Sequence, residues 1–480
     1  MKKKMVSVLL TAVMTASALA GCGSSKSAGT TATDSQSADS AAVAESTSAG
    51  TADTAATADA AATQAAADGS YTYTAGSYDG VKITMLNTKS EIQDQLEAAA
   101  EKWGELTGAT LDVYTISSDA ESPAEEIATK YAAGDAPTLI MGDPQDVYSI
   151  CEEKGVDLSD QPWVSVGGSQ YGITNNDKVY SFPFCIEGRG LIYNASAIEK
   201  VTGTAFDPST IKSMDDFTAL LDKLVAGGMK YPVSVNCEDW SLAGHYMTQV
   251  YEMQDGATSL SNDLIDQLYA GTADLNSNPV FTEMFNTFDV LKKYNINQKD
   301  PMSADRDESG TDLAEGTIAF WFDGCWAWDT MEDSYDDSSN IGIMPIPVND
   351  TTGNSNIGSY ICGSPTKQVM IDKEDSDEKQ QAAAEDFLNW LVFSQDGQNV
   401  LVNECSLVPA FTNITAEATN PLAKSVQQYS AAGKLFPGYI NYPSDHWQKV
   451  GAIMQQYLAG KIDRAEFAKE VQAYWSALKK

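Results

Sequence analysis

Few side chains of this sequence lie in a pattern that supports catalysis. Histidine occurs only at His245 and His446, so the sequence contains neither the H-E-x-x-H motif of metalloproteases nor a histidine-rich metal site. Residues 353–357 begin like the nucleophile motif G-x-S-x-G, but the last glycine is missing, and no G-x-x-x-x-G-K-[ST] phosphate-binding motif occurs. These classes of enzyme are therefore excluded, and we expect no cofactor.

An acidic loop beginning at Asp305 resembles the start of a calcium-binding loop. Its twelfth position is Gly316, where such a loop has a bidentate glutamate, and Glu315 lies one place too early. We therefore expect no metal ion here. The pattern favours a polar loop that caps the helix before Thr317.

The cysteines also give no metal site. Apart from Cys22, six are present, widely spaced and without a C-x-x-C motif, so neither a zinc framework nor a small disulfide scaffold is predicted. Isolated buried thiols are favoured over disulfides, although the sequence leaves the pairing open. The six residues are Cys151, Cys185, Cys237, Cys325, Cys362 and Cys405.

The N-terminal segment predicts export. Three lysines at positions 2–4 precede an apolar run at residues 5–20, which is too short to span a membrane comfortably. The run ends in Leu-Ala-Gly-Cys, which resembles the lipobox of bacterial lipoproteins. We therefore expect residues 1–21 to be a signal peptide. Cys22 would carry the lipid that attaches the protein to the extracellular face of the cytoplasmic membrane.

Composition predicts a tether after this cysteine. Residues 23–70 are mainly alanine, serine, threonine and glycine, contain no aromatic residue, and include Val43 as their one branched aliphatic side chain. Such a segment cannot bury enough apolar surface to offset the entropy lost on ordering. We therefore expect residues 22–70 to be a lipidated cysteine followed by a disordered linker.

The net charge restricts the partners. The formal charge is −37, and phosphate backbones and anionic lipid surfaces are bound mainly through lysine and arginine. We therefore expect no nucleic-acid partner, and contact with the membrane only through the lipid. The charge does not imply a cationic ligand.

Residues 71–480 are too many for one ordinary core and predict two domains of α/β class. Residues 81–85 alternate like a strand, a helical pattern ends at Gly108, and residues 111–116 and 138–141 read as further strands. Strand, helix and strand at this spacing indicate βαβ units and a mainly parallel sheet.

Three further helices and a buried strand are predicted. Ser213 to Asp216 reads as a capping box that opens a helix, and Asp463 with Glu466 forms a second one near the C-terminus. Residues 382–393 are strongly helical, and residues 317–322 form a continuous apolar run that is typical of a buried strand. No internal repeat is found.

Several segments, in this order, resemble family 1 of the extracellular solute-binding proteins of ABC transporters, the carbohydrate-type family that includes the maltose-binding protein. Each segment is weakly specific alone, but their shared order is highly specific, and the likeness covers nearly everything after residue 80. The segments are residues 130–137 (KYAAGDAP), 180–184 (YSFPF) with Glu187, 190–194 (GLIYN), 316–328 (GTIAFWFDGCWAW), 341–347 (IGIMPIP), 383–398, 408–410 (VPA) and 458–461 (LAGK).

The resemblance implies a two-lobed, periplasmic-binding-protein-like fold of type II, with ligand held in a cleft crossed by hinge strands. The strands near Glu187, Trp326 and Asn403 would cross between the lobes. Within residues 71–480, lobe one would comprise residues 81–186 and 326–400, and lobe two residues 187–325 and 401–480. Closure of such a cleft excludes water from both sides of a ligand.

The resemblance also implies ligand-binding residues. The family's stacking aromatics align with Trp240, Trp326 and Trp447, and its ligand carboxylates align with Glu187 and Glu238. Their structural alternatives are core packing for the tryptophans, an ion pair with Arg189 for Glu187, and a solvated loop charge for Glu238. No catalytic residue is assigned.

Two other site residues follow strands. Lys89 matches a family position that touches ligand, and Asp143 follows a strand end, where such sheets place ligand groups. Gly142 stands where the maltose-binding protein has a stacking tryptophan, so one subsite is missing or is rebuilt by Tyr171 or Phe184. The bound sugar is therefore not assumed to be maltose.

The functional expectation is a non-enzymatic, monomeric receptor that binds a carbohydrate and delivers it to the permease subunits of an ABC importer. A surface glycoside hydrolase remains the alternative, because it needs only one pair among the 67 acidic residues, and no local motif marks such a pair. A glycan-binding scaffold is the third class. The absence of repeats counts against it.

Overall fold

The computed structural model describes residues 71–116, 122–336, 340–349, 351–354 and 356–478. The predicted signal peptide, Cys22 and the predicted linker lie outside these residues. None of the helices in these ranges combines the length and apolar composition that a membrane span requires.

Within the described residues, the chain alternates between strands and helices and forms eleven strands and fifteen α-helices. The eleven strands are β1 Lys82–Asn87, β2 Thr110–Thr115, β3 Leu139–Gly142, β4 Thr174–Asn175, β5 Lys178–Val179, β6 Phe182–Asn194, β7 Val233–Val235, β8 Phe320–Gly324, β9 Ile341–Met344, β10 Ile361–Ile371 and β11 Leu435–Phe436. The fifteen α-helices are α1 Gln93–Thr107, α2 Pro123–Ala133, α3 Pro144–Lys154, α4 Gly168–Tyr171, α5 Ala195–Thr202, α6 Met214–Ala226, α7 Thr248–Glu252, α8 Asp263–Tyr269, α9 Pro279–Tyr294, α10 Arg306–Ala314, α11 Glu378–Phe393, α12 Gln395–Asn399, α13 Pro421–Ala431, α14 His446–Leu458 and α15 Arg464–Ala477.

The first βαβ unit is formed as the sequence predicts. Helix α1 ends at Gly108, which adopts the left-handed conformation at φ 80°, and β1 then pairs in parallel with both β2 and β3. The carboxyl ends of β1 and β3 therefore meet at one edge of the sheet, and Lys89 and Asp143 directly follow them.

The main sheet is mixed rather than mainly parallel, which corrects the expectation from sequence. Its strand order is β2-β1-β3-β10-β6-β8-β7, with β11 beside β10 and β9 beside β6. Strand β10 runs antiparallel to β3 and β6, and β6 runs antiparallel to β8 and β9. The sequence prediction failed because β10 pairs with β3 and β6 from far along the chain, so local spacing does not reveal the direction of the strand.

Long strands β6 and β10 form the centre of the molecule. The first part of β6 pairs with β10 and its last part pairs with β8 and β9, so one strand joins both ends of the sheet. Glu187 lies on β6, so the strand predicted at this residue is present, and its crossing between lobes stays a prediction.

At the other two predicted crossings, the named residues lie in helices, although β8 ends two residues before Trp326. Trp326 lies in the 3-10 helix Cys325–Thr330, and Asn403 lies in the π-helix Val400–Glu404, which continues from α12. In the sequence, the apolar run Val400, Leu401 and Val402 resembles a short strand, although it is helical in the structure. Apolar runs of this length fit either a buried strand or a buried helix.

Two large hydrophobic cores lie on the sheet. One contains mainly residues from the first strands, from α1 and from α11 to α13. The other contains mainly residues from α6 to α9, β7, β8, α14 and α15. The residue ranges that the sequence assigns to the two lobes stay a prediction.

The predicted helix starts are present, with one change of detail. The Ser213 hydroxyl accepts from the backbone N–H of Asp216 at 3.0 Å, as in a capping box. The Asp216 carboxylate accepts from the backbone N–H of Lys212 instead of Ser213, so the box is not reciprocal. Asp463 caps α15 by accepting from the backbone N–H of Glu466.

The acidic loop caps a helix, and the six cysteines after Cys22 form no disulfide. Asp305 caps α10 by accepting from the backbone N–H of Glu308, and the described residues contain no acid, histidine or cysteine cluster suited to a metal ion. The six cysteines are unpaired thiols, five of them buried, and Cys237 is partly exposed.

Candidate ligand-binding cavity

A cavity of about 710 Å³ opens where the sheet edge meets the helices of the second core. This volume lies within the range of small-molecule sites, roughly 300–1,000 Å³. Its wall is formed by the segments after β1 and β3, the middle of β6 and β10, the segment after β8, the π-helix Trp240–Met247 and the start of α14.

Aromatic rings form one part of the wall. Trp240 starts the π-helix, Trp326 follows β8, and Trp447 lies in the first turn of α14, which packs on the π-helix. All three side chains are half-buried and border the cavity. The ring of His245 stands among them, with centroid distances of 5.3 Å to Trp240, 4.4 Å to Trp326 and 6.1 Å to Trp447.

Two glycines make room for these indoles. A Cβ on Gly244 would lie 2.7 Å from the Trp447 ring, and a Cβ on Gly324 would lie 2.3 Å from the Trp326 ring. Any side chain at either position would displace the indole beside it, because real Cβ contacts are longer than 3.0 Å. The positions of the two rings therefore depend on glycine.

Tyr442 ties the aromatic wall to the segment after β3. Its hydroxyl accepts from Trp447 Nε1 at 3.1 Å and donates to Gln145 Oε1 at 3.4 Å. Burial, reinforced by Asp143, raises the pKa of Tyr442 well above its ordinary value, so the hydroxyl stays a donor. The indole of Trp447 is thereby held in one orientation.

Lys89 is held between two carboxylates. Its Nζ lies 2.7 Å from Glu187 Oε1 and 2.6 Å from Glu91 Oε1, and Lys89 and Glu187 are each only 5% exposed. Burial lowers the pKa of Lys89, but Glu187 and Glu91 outweigh it and hold that pKa well above its ordinary value. The other oxygen of Glu187 accepts from the Thr366 hydroxyl. Lys89 is therefore a fixed cation.

The turn that presents Lys89 is itself fixed. Asn87, the last residue of β1, is fully buried and bonds both backbone groups of Lys89, accepting from its N–H at 2.8 Å and donating to its carbonyl at 3.0 Å. Because Lys89 lies two residues after the end of β1 and both of its backbone groups are bonded, its side chain has little freedom.

Asp143 pairs with Lys367 on β10 at 2.6 Å. Burial lowers the pKa of Lys367, but Asp143 outweighs it and raises that pKa above its ordinary value. One helical turn later, burial and the Asp143 charge raise the pKa of Asp146 to about 7. Asp146, near the start of α3, is therefore a readily protonated carboxyl beside this ion pair.

A further ion pair lies on β6. Arg189 Nη2 contacts both oxygens of Glu252 at 2.6 Å and bonds the Thr248 hydroxyl at 3.1 Å. The structural alternative considered for Glu187, an ion pair with Arg189, is therefore wrong: Glu187 pairs with Lys89. Glu187 is opposite Ser364 of β10, whereas Arg189 lies between Cys362 of β10 and Gly324 of β8, so the two side chains have different neighbours.

Arg306, from the start of α10, borders the cavity with a partly buried guanidinium. Its Nη2 lies 3.0 Å from Asp329 and 3.3 Å from the carbonyl oxygen of Trp326, and its Nε lies 3.5 Å from Asp323. Burial, only partly offset by Arg306, raises the pKa of Asp323 to about 6. This arginine fixes the backbone that carries the Trp326 indole.

Six of the seven ligand-binding residues predicted from sequence border this cavity: Trp240, Trp326, Trp447, Glu187, Lys89 and Asp143. Glu238 does not. It follows β7, and its Oε2 is buried without a hydrogen-bond partner among the described residues. Contact of these seven residues with a ligand stays a prediction.

The proposed replacements for the missing tryptophan are not at the cavity. Gly142 ends β3 as a buried residue, and Phe184 is 0% exposed in the core beside the ring of Phe182. Tyr171 ends α4 and is not part of the cavity wall among the described residues. No aromatic side chain at either position rebuilds that subsite.

Sequence reasoning missed His245, Tyr442, Lys367 and the Arg189–Glu252 pair. No local motif marks them, because they meet the other wall residues only through the pairing of β6 with β10 and the packing of α14 on the π-helix. The one sequence feature that could have indicated part of this group is His245 itself, an isolated histidine five residues after Trp240.

Comparison with known proteins identifies the fold and family. The family model for bacterial extracellular solute-binding proteins matches residues 98–434, well over half of the chain. No protein with curated function matches this chain.

Solved structures share its two-lobed α/β fold. The apo form of RafE from Streptococcus pneumoniae is 17% identical, with a TM-score of 0.64 over 84% of this chain and 99% of that chain. A putative binding protein of Bacillus subtilis in an open conformation is 19% identical, with a TM-score of 0.64 over 84% and 98%.

A third structure was solved with a sugar. It is a sugar transporter protein from Bacillus licheniformis in complex with stachyose, 20% identical, with a TM-score of 0.62 over 83% of this chain and 100% of that chain. These identities establish the shared fold alone. Together with the match to the family model, they show that this chain is a bacterial extracellular solute-binding protein.

Proposed function

We propose that this protein captures a neutral oligosaccharide in its cavity and delivers it to the permease of an ABC-type importer. The observation that carries the proposal is the set of three half-buried indoles around a cavity of about 710 Å³ that also holds fixed charged groups. The sugars named for structural relatives, raffinose and stachyose, support this class of ligand.

The chemistry of the wall suits a sugar. Sugar rings present apolar C–H faces, which pack on flat aromatic rings, and hydroxyls, which bond to charged and polar groups. Hydrogen bonds to charged groups contribute about 1.5–3 kcal/mol each, and micromolar affinity requires only about 8 kcal/mol. A few stacked indoles and a few bonds to Lys89, Glu187 or Asp143 are therefore sufficient.

Closure of the cavity would couple binding to delivery. Wall residues lie on or directly after segments that pack into different hydrophobic cores, β1 and β3 into the first and the π-helix and α14 into the second. A ligand that touches both groups of segments would favour the closed state by its differential affinity for that state. The closed form would dock on the permease. A lipid on Cys22 and the linker at residues 22–70 would keep the binding module at the membrane surface as a monomer.

A thermal-shift panel of neutral oligosaccharides tests the proposal. Raffinose, stachyose, chitin oligosaccharides and xylo-oligosaccharides are each added to the purified protein, and a ligand at 100 times its Kd adds about 2.7 kcal/mol of stability. Chromatography of the bound sugar after incubation separates the two main functions. Unchanged sugar supports a receptor, whereas released monosaccharide supports the hydrolase. A complete absence of binding contradicts both.

The membrane anchor has a separate test. Metabolic labelling with a radioactive fatty acid should label the wild-type protein, and Cys22→Ser should abolish the label and release the protein into the medium. Equal retention of the variant on the cells would contradict lipid anchoring without affecting the sugar-binding proposal.

A further inference from the structure

His245 has an unusual backbone position. It lies in the π-helix Trp240–Met247, a type of segment that is rare and often occurs at functional sites. Its carbonyl oxygen accepts from Arg189 Nε at 3.0 Å and from Gln249 Nε2 at 3.0 Å. The buried Arg189–Glu252 pair therefore fixes the backbone of His245 beside the cavity.

The imidazole ring of His245 contacts aromatic rings but forms no hydrogen bond with the described residues. It borders the cavity and stands among three indoles, and neither of its nitrogens has a hydrogen-bond partner among the residues that the structure describes. The second histidine differs, because His446 Nε2 lies 3.2 Å from the Tyr251 hydroxyl within the core.

The charged groups of the wall, by contrast, already have protein partners. Lys89 contacts Glu187 and Lys367 contacts Asp143. Burial, together with the charges of Arg189, Lys367 and Arg306, lowers the pKa of His245 well below 6.5. Its ring is thus neutral, with one N–H donor and one acceptor nitrogen, the pair of functions that a sugar hydroxyl also has.

We propose that His245 is a specificity-determining residue of the cavity, and that its ring exchanges hydrogen bonds with hydroxyls of a sugar unit that packs against the surrounding indoles. This inference rests on the proposed function. It predicts selection for the position of a hydroxyl group, because a site with a buried polar group strongly disfavours ligands that leave that group unpaired.

Imidazole NMR tests the contact directly on the wild-type protein. The sequence contains two histidines, so long-range ¹H–¹⁵N spectra of the uniformly labelled protein show two rings, which His446→Phe assigns. The probe is the panel oligosaccharide that gives the largest thermal shift. We expect the ring signals of His245 to move on addition of this probe and those of His446 to stay. Unmoved His245 signals at saturation would overturn the inference while leaving the receptor function intact.

Variants measure the effect on affinity. His245→Phe keeps a flat ring but removes both nitrogens and should weaken binding of the probe by about tenfold or more. His245→Asn and His245→Gln place an amide near one ring nitrogen each, and one of them should recover part of the loss. His446→Phe is the matched control and should lower the melting temperature while keeping the affinity.

The outcomes separate the two proposals. Wild-type affinity in a folded His245→Phe variant contradicts the role of His245 alone. If no oligosaccharide of the panel binds the wild-type protein, the receptor proposal fails and the assignment of His245 fails with it.

Discussion

The wall of the cavity has an aromatic region, which contains three indoles, and an ion-paired region, which contains paired charged side chains. The two regions are built differently. Trp240, Trp326 and Trp447 are half-buried, and two of them are seated against glycines. In the ion-paired region, Lys89 with Glu187 and Arg189 with Glu252 form two pairs whose four side chains are almost fully buried.

This difference separates binding from folding. An exposed indole face contributes little to the folded state until a ligand covers it, whereas a buried ion pair must be complete for the protein to be stable. Substitutions in the aromatic region should therefore change affinity more than stability. Substitutions in the ion-paired region should change stability first.

The largest expected effect is in the ion-paired region. Arg189→Leu leaves Glu252 buried without its cation, and breaking such a pair costs about 3–5 kcal/mol of unfolding free energy. Urea denaturation measures this loss. The double variant Arg189→Leu/Glu252→Leu should recover much of it, since no unpaired charge remains. A single variant as stable as the wild type would show that the pair does not support the fold.

Acid should affect two buried groups near the cavity, His446 and Asp323, in opposite directions. Burial lowers the pKa of His446, beside Trp447, to about 3, so its contribution to stability is complete above about pH 6.5 and falls as the pH decreases towards 3. The pKa of Asp323, beside Arg306, is raised to about 6, so its contribution increases as the pH falls from about 6 to 4.

Pairs of denaturation curves check this prediction. The stability of the wild type relative to His446→Phe should decrease by about 1.4 kcal/mol per pH unit between pH 6 and 4. The stability of the wild type relative to Asp323→Asn should increase over the same interval by a similar slope. Slopes of the same sign for the two comparisons would contradict the assigned protonation states.

The sequence predicted the local structure better than the long-range structure. The first βαβ unit, α6 and α15 were predicted because hydrophobic period and capping residues lie within a few positions of each other. The central strands β6 and β10 were not recognised as a long antiparallel pair, since register between residues 182–189 and 362–369 depends on contacts far apart in the chain.

The site shows the same limit. Resemblance to a family indicated five of the cavity residues, and the end of a strand indicated Asp143, but the sequence did not show that Glu187 pairs with Lys89 rather than with Arg189. His245 was used only to exclude metal chemistry. Its neighbours Trp326 and Trp447 lie 81 and 202 positions away in the sequence, and only the folded chain brings them to the same place.

In the aromatic region, Trp240→Ala should separate affinity from stability. Its indole is half-buried at the cavity, so we expect binding to weaken more than tenfold with a nearly unchanged melting temperature of the unliganded protein. Trp328→Ala is the matched control, because Trp328 is also half-buried but packs on Tyr335 and does not border this cavity. A large melting decrease with unaltered affinity would assign Trp240 to the core.

The smallest expected effect is that of Gly244→Ala, which tests whether the indoles must be held in place. The added methyl group would meet the Trp447 ring at 2.7 Å and push it aside, while alanine also favours the helical backbone more than glycine by about 1 kcal/mol. We therefore expect a few-fold weaker affinity and little net change in stability. Calorimetric titration with the sugar that binds best measures the affinity. If Gly244→Ala binds like the wild type while Trp447→Ala does not, binding requires the indole but not its exact position. The aromatic region is then more adaptable than the ion-paired region.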